Sequence, residues 1–257
     1  MVARHDAIQR FRSETYYRIN ATIHIKGERQ EEIQLHLRWQ RNRIFDKDVA
    51  NALLRTVLEN RDNVRVISNS SKECVKNPPL PLNTVSMLKL ASRVLGISPK
   101  DTMRVAEDLY LRGLISYPRT ETSKYPRHFD IKSCIHMQTS HENYGEYATK
   151  LLDLNFVPKL NRGVDCGDHP PITPTGAGTT HGKEKRLYDM IVRHFLASVS
   201  PPCVYSQSIA KFRCSKEEFE ASGLRVLEPG FTELLPKSCP ACTWVFYLSL
   251  SLLRPNV

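Results

Sequence analysis

The chain has 257 residues, 40% of them hydrophobic and 25% charged, with 37 Lys and Arg against 27 Asp and Glu for a net charge of +10. That composition excludes a disordered chain and reads as a soluble globular protein with one large domain or two smaller ones. The positive excess favours polyanionic partners, nucleic acid first and an acidic membrane surface second.

From the amino terminus the pattern is β-type. "NATIHIKGERQEEIQLHLRW" alternates Ala21, Ile23 and Ile25, then Ile33, Leu35, Leu37 and Trp39, with Gly27 in the turn region between them. Two half-buried strands are predicted. "DKDVANALLRTVLEN" is helical with Asp46 as cap, and "NVRVIS" returns to strand. The prolines of "NPPLPLN", 77–83, forbid helix and central strand and mark a domain boundary.

Beyond that boundary the period is helical. Val85, Leu88, Ala91, Arg93 and Leu95 lie along a helix capped by Asn83 and stopped at Gly96. A second helix opens on Ser98 as cap with Pro99 first and Asp101 near the positive end. Its inner stripe is Met103, Ala106, Leu109 and Tyr110, and Gly113 ends it. Helix, turn, helix and a strand "LISY" together outline a winged helix. A long helix over "EKRLYDMIVRHFLASVS" buries Leu187, Ile191, Val192 and Phe195 and is closed by Pro201 and Pro202. "YSQSIAKFRC" and "EEFEASGLRVLEPGFTEL" alternate again, so a helical block is inserted into a β-rich one.

Cysteines number seven, an odd count without framework spacing, which favours a reducing compartment over disulfides. Cys239 and Cys242 form one CPAC, with no second pair to complete a tetrahedral zinc site and no βαβ pattern for a thiol redox centre. The apolar run from Trp244 to Leu253 is about half the length that spans a bilayer.

Two clusters carry chemistry. In "GLISYPRTETSKYP", 113–126, Tyr117 precedes Pro118, and Arg119 follows two places on. A phenol with a pKa of about 10 attacks poorly unless a cation supports its charge, and a forked guanidinium suits phosphodiester oxygens. Pro118 restricts the backbone of Tyr117. A held nucleophile and a strand-end tyrosine beside a surface arginine both fit these residue types. In "DCGDHPPITP", 165–174, His169 stands between Asp168 and a rigid proline pair, and the neighbouring carboxylate favours a protonated imidazole beside phosphate. "GAGTTHGKEK" is not a phosphate-binding P-loop: Ala177 and Glu184 occupy the positions that need Gly and Ser or Thr.

Taken as whole strings, the tyrosine motif, "PPLPLNTVSMLKLASRVLGISPKDTMRVAEDLYLRG" before it and "DCGDHPPITP" after it resemble the type IA DNA topoisomerases, most closely the eukaryotic topoisomerase III branch in its beta form. "RHDAIQRFRSETYYRIN" and "GFTEL" are similar too, so the resemblance runs from Arg4 to about Leu235; Ser13 stands where the family usually has proline. It implies an α+β fold: a winged-helix-like helical domain with the catalytic tyrosine, inserted into a β-rich arch. The expected boundaries are 1–76 for the first arch segment, 77–202 for the helical domain, 203–236 for the return strands and 237–257 for an aberrant tail.

The resemblance makes Tyr117 the nucleophile that becomes linked to the 5′-phosphate, Arg119 the transition-state support and His169 the active-site histidine. Arg119, Thr120, Asp168 and His169 are expected to contact nucleic acid. The implied activity is ATP-independent cleavage, passage and religation of single strands, on single-stranded or negatively supercoiled DNA and also RNA. Mg2+ is the expected cofactor, but its acidic ligands belong to a metal-binding (Toprim) domain that this chain is expected to lack, together with the carboxy-terminal part of the core. The chain alone is therefore expected to be inactive or nearly so, with nuclear and secondarily cytoplasmic localisation, protein scaffold partners and no membrane association. The alternatives are a noncatalytic single-stranded nucleic-acid binder and an inactive truncated product. A tyrosine recombinase fits less well, because the scattered Arg and His set of that chemistry is missing before Tyr117.

Overall fold

A computed structural model describes residues 2–26, 32–154, 158, 162–178 and 180–240. The chain forms two compact units, one of Met1–Glu73 with Ser206–Arg225 and one of Cys74–Tyr205 with Val226–Ala241. The second interrupts the first in sequence.

The first unit is a sheet with one helix packed on it. A short helix α1 (Val2–Gln9) buries none of its residues. Strands β1 (Asn20–Lys26) and β2 (Glu32–Trp39) pair antiparallel with Ile23 opposite Leu35. This is the hairpin that the alternation predicts, although Gly27 lies outside the described residues. β2 continues onto β5 (Glu217–Glu228) through Arg38↔Glu220 and Trp39↔Phe219, and β4 (Cys203–Cys214) and β3 (Arg65–Lys76) complete the order β1-β2-β5-β4-β3. Alternation places Leu37, Trp39, Ala210, Phe212, Phe219 and Ala221 in one apolar layer, against which Leu53 and Val57 of α2 (Lys47–Glu59) pack. Asp46 caps α2 as expected, accepting from the Asp48 and Val49 amides. A polar knot closes the layer: buried Glu217 accepts the Trp39 indole N–H at 2.8 Å and the Arg41 fork at 2.8 and 2.9 Å.

The second unit is helical. Asn83 caps α3 (Thr84–Leu90) through the Ser86 amide, a π-turn follows at Ala91–Leu95, and Gly96 ends it with φ 67°. The predicted stripe is corrected here. Ala91 is buried as predicted, but Val85 and Arg93 face solvent and Met87 enters the core; the π-turn that starts at Ala91 carries Arg93 off the buried face. Helix α4 (Pro99–Leu111) starts as predicted on Ser98 and Pro99. Its buried positions are Thr102, Val105, Ala106 and Leu109; Met103 is only partly covered and Tyr110 is exposed, one step round from the expected stripe.

Two helices escaped the periodicity because they are short, α5 (Ile131–His136) and α6 (Gly145–Asp153). Helix α7 (Gly182–Ser198) behaves as predicted, with Leu187, Ile191, Val192 and Phe195 at most 1% exposed. Its first turn meets α4 through Lys183–Asp101 and Arg112–Glu184 ion pairs. "LISY" is not a strand. Ile115 forms a single bridge with Pro174, and neither Pro174 nor Pro118 has an N–H with which to extend a ladder. Cys242 and the apolar run after it lie outside the described residues.

Candidate active site

Tyr117 sits on a strap that leaves α4 through a left-handed Gly113, φ 71°. There the Gly113 amide reaches the Tyr110 carbonyl at 2.8 Å and the Leu114 amide reaches Leu109 at 3.0 Å. A side chain in that conformation is strained, so glycine both stops the helix and redirects the chain. Ser116 then stitches the strap to the loop that carries His169. Its amide donates to the Thr173 carbonyl at 2.9 Å and its hydroxyl to Pro171 at 3.0 Å, while the Thr173 amide returns a bond to the hydroxyl at 2.9 Å.

These stitches bring two rings to Tyr117. His169 meets it edge to face, 4.6 Å between centroids at 65°, and Tyr110 does so at 5.3 Å and 70°. Such offset geometries align ring edges with ring faces and each add a fraction of a kcal/mol to more than 1 kcal/mol, roughly. The Tyr117 side chain is half-buried and His169 is exposed, so the phenol is held without being sealed from solvent.

Downstream of Tyr117 a threonine lattice holds the strap. Thr84, the first residue of α3, donates its hydroxyl to the Pro118 carbonyl at 2.7 Å and accepts the Thr120 amide at 2.8 Å. Asn83, whose carboxamide oxygen caps α3, gives its amide to the Glu121 carbonyl at 3.2 Å. The hydroxyl of buried Thr120 donates to the His169 carbonyl at 2.5 Å and lies 3.2 Å from the Asp168 carboxylate. Asp168 accepts the Glu121 amide at 2.7 Å and the Thr122 hydroxyl. These bonds, Thr122 first and the Glu121 amide second, hold its carboxyl below the usual carboxylate range.

One contact at the loop's entrance admits glycine alone. A Cβ on Gly163 would stand 2.0 Å from the Ser123 carbonyl oxygen, and φ there is 95°. This close approach brings Val164 to the Ser123 amide, with 2.8 Å from Ser123 N to the Val164 carbonyl.

Arg119 lies beyond the phenol on the exposed side of the strap. Its Nε donates to Glu107 Oε1 at 3.0 Å, and Nη2 donates to the same oxygen. Glu107, by its hydrogen bonds and its charge, raises the affinity of the guanidinium for its proton.

The five residues singled out from the sequence therefore fall on two stitched loops, with Tyr117 and His169 in ring contact. Thr120 and Asp168 direct their polar groups into the lattice. The Asp168 carboxylate is taken up by Thr120, Glu121 and Thr122 rather than by the imidazole beside it in sequence, because the chain turns between them. The sequence reading missed Glu107, Tyr110 and Thr84. The first two are three residues apart on α4 and so share a face, and Thr84 follows its cap; spacing alone was the available signal.

A family profile described as DNA topoisomerase matches residues 1–241. DNA topoisomerase 3-beta-1 of Homo sapiens is 43% identical over 252 residues, covering 94% of this chain and 28% of its own length. DNA topoisomerase 3-beta of Arabidopsis thaliana is 40% identical over 241 residues, covering 92% of this chain and 27% of its own. The chain thus spans little more than a quarter of the relatives it matches. Full-length topoisomerase I from Thermotoga maritima shares the fold with a TM-score of 0.61 at 20% identity, over 91% of this chain and 38% of that one.

Proposed function

The chain belongs to the type IA DNA topoisomerases, close to topoisomerase III beta, and from that premise we propose that it carries the strand-breaking tyrosine of such an enzyme. The Tyr117 oxygen attacks a phosphorus of a single strand, and its bond to phosphorus forms as the P–O3′ bond breaks. The phenolic proton ends on the departing 3′-oxygen. The downstream strand stays joined to Tyr117 through its 5′-phosphate, another strand passes through the gap, and the 3′-hydroxyl reverses the exchange. Each step trades one phosphate ester for another, so no nucleotide hydrolysis is required.

The observation that carries this reading is the ring contact of Tyr117 with His169 on a strap tied down by Ser116, Thr84 and Thr120. A held nucleophile attacks more readily than a free one, and an imidazole, which carries both a donor and an acceptor nitrogen, can take up or return the proton. Arg119 supplies fixed positive charge where the phosphorane becomes more negative. Mg2+ is expected from the resemblance. Among the described residues no group of three or more His, Cys, Asp or Glu could hold a metal ion. Glu107 and Asp168 are already paired, so these residues do not fit the ion and its ligands would come from elsewhere.

A second reading, noncatalytic gripping of single strands, draws on the +10 charge. RNA as a further substrate, protein scaffold partners and a nuclear site of action, with the cytoplasm second, complete the proposal. The test is a 3′-end-labelled single strand incubated with the chain, Mg2+ and the amino-terminal metal-binding domain of a relative added in trans. Label should become covalently attached to the chain and be lost in Tyr117→Phe. Binding that is identical in both proteins, with no adduct in either, would favour the second reading.

A further inference from the structure

We propose that Glu107 is a positioning residue for Arg119: it takes one edge of the guanidinium and so presents the other edge to a phosphodiester. This deepens the function proposed above and rests on it. Arginine has five N–H donors in one plane, and the hydrogens on Nε and on the near side of Nη2 point the same way. Both go to a single oxygen, Glu107 Oε1. One donor remains on Nη2 and two on Nη1, and among the described residues none of the three has a partner. The Nη2 donor and one of the Nη1 donors form the end-on fork, the edge that matches two phosphate oxygens.

Two further features fit this role. The long arginine stem would otherwise sample many rotamers, and ordering it before the phosphate arrives reduces the entropy lost on binding. The carboxylate that orders it stands on α4, a helix of 13 residues, and Tyr110 one turn further along the same face meets the Tyr117 ring. One rigid element thus locates both the phenol and the guanidinium. The opposing role, a carboxylate that parks Arg119 and must be displaced by phosphate, would have the acceptor on the end-on fork. Here it lies on the side edge.

The test reads the guanidinium directly and needs no turnover. In the full chain labelled with 15N-arginine, Arg119→Lys identifies the Arg119 Nε resonance, and fluorescence anisotropy follows binding of a labelled oligothymidylate. With oligothymidylate saturating, the Nε signal should stay where it is in the free chain while the Nη signals shift. Glu107→Ala should lose the displaced Nε signal, and Glu107→Gln, which keeps an acceptor, should retain it. Movement of Nε toward its solvent position on binding would overturn the proposal while leaving the functional reading intact. An unaltered Nε signal in Glu107→Ala would overturn it as well. Absence of any oligothymidylate binding would take both down.

Discussion

The ring of His169 lies against the edge of Tyr117 at 4.6 Å and 65°, although the two residues stand on different loops joined by no regular sheet. The contact exists because Ser116, Thr120 and Asp168 each use a short polar side chain to tie one loop to the other. Hydrogen bonds of side chain to backbone thus do here what a β-ladder does elsewhere.

If His169 moves a proton for Tyr117, its chemistry is separable from its packing. His169→Phe keeps an edge contact and should leave the melting temperature unchanged, yet lower the rate of covalent adduct formation by about 100-fold, the low end for acid–base catalysis. His169→Ala should lose the same rate and some stability. An adduct formed by His169→Phe at the parental rate would reduce the histidine to a packing ring.

Arg119 offers a fork where lysine offers a point charge. Arg119→Ala should lower the salt dependence of single-strand binding by about one phosphate contact in a log–log plot. Arg119→Lys should keep that slope and still form adduct about tenfold more slowly, because the paired donors are lost. Equal rates for arginine and lysine at this position would show that charge alone suffices.

Asp168 makes the stability of the site loop depend on pH. Its folded carboxyl titrates below the unfolded value of about 3.9, so its stabilisation is present above that pH and is lost as pH falls through the folded value. Asp168→Asn should therefore melt below the parent at about pH 7, and the gap should close as pH drops below about 4. Melting curves across that range check this; a gap that persists in acid would mean that shape, not charge, holds the loop.

In the sheet, Glu217 is 1% exposed and is the acceptor of the buried Trp39 indole N–H. Glu217→Ala orphans that donor and should cost about 1–3 kcal/mol in urea denaturation. Glu217→Gln keeps an acceptor and should cost less than half as much. A neutral result for alanine would show that water replaces the carboxylate.

How much was legible follows the range of the interactions involved. Asp46, Asn83 and Ser98 announced their helices because a cap is a bond between residues two or three apart. Helix α7 announced its buried face because four of its apolar residues keep the helical period. The π-turn at 91–95 escaped notice, because one extra residue in a turn leaves no mark in composition. "LISY" looked like a strand, since Leu, Ile and Tyr suit one, but its partner is a proline and pairing stops after one bridge.

By itself the sequence determined the chemical inventory and its local constraints: a tyrosine before a proline, an arginine two places on, a histidine in a proline-bound loop, and a glycine to end each of two helices. Only the tertiary structure decided which groups meet. It set His169 and Tyr110 against the phenol, turned Asp168 toward threonines instead of toward its neighbour His169, and gave Arg119 to a glutamate on another element. The reason is physical: caps and turns are settled by neighbours along the chain, whereas a site is settled by side chains whose separation in space the fold alone creates.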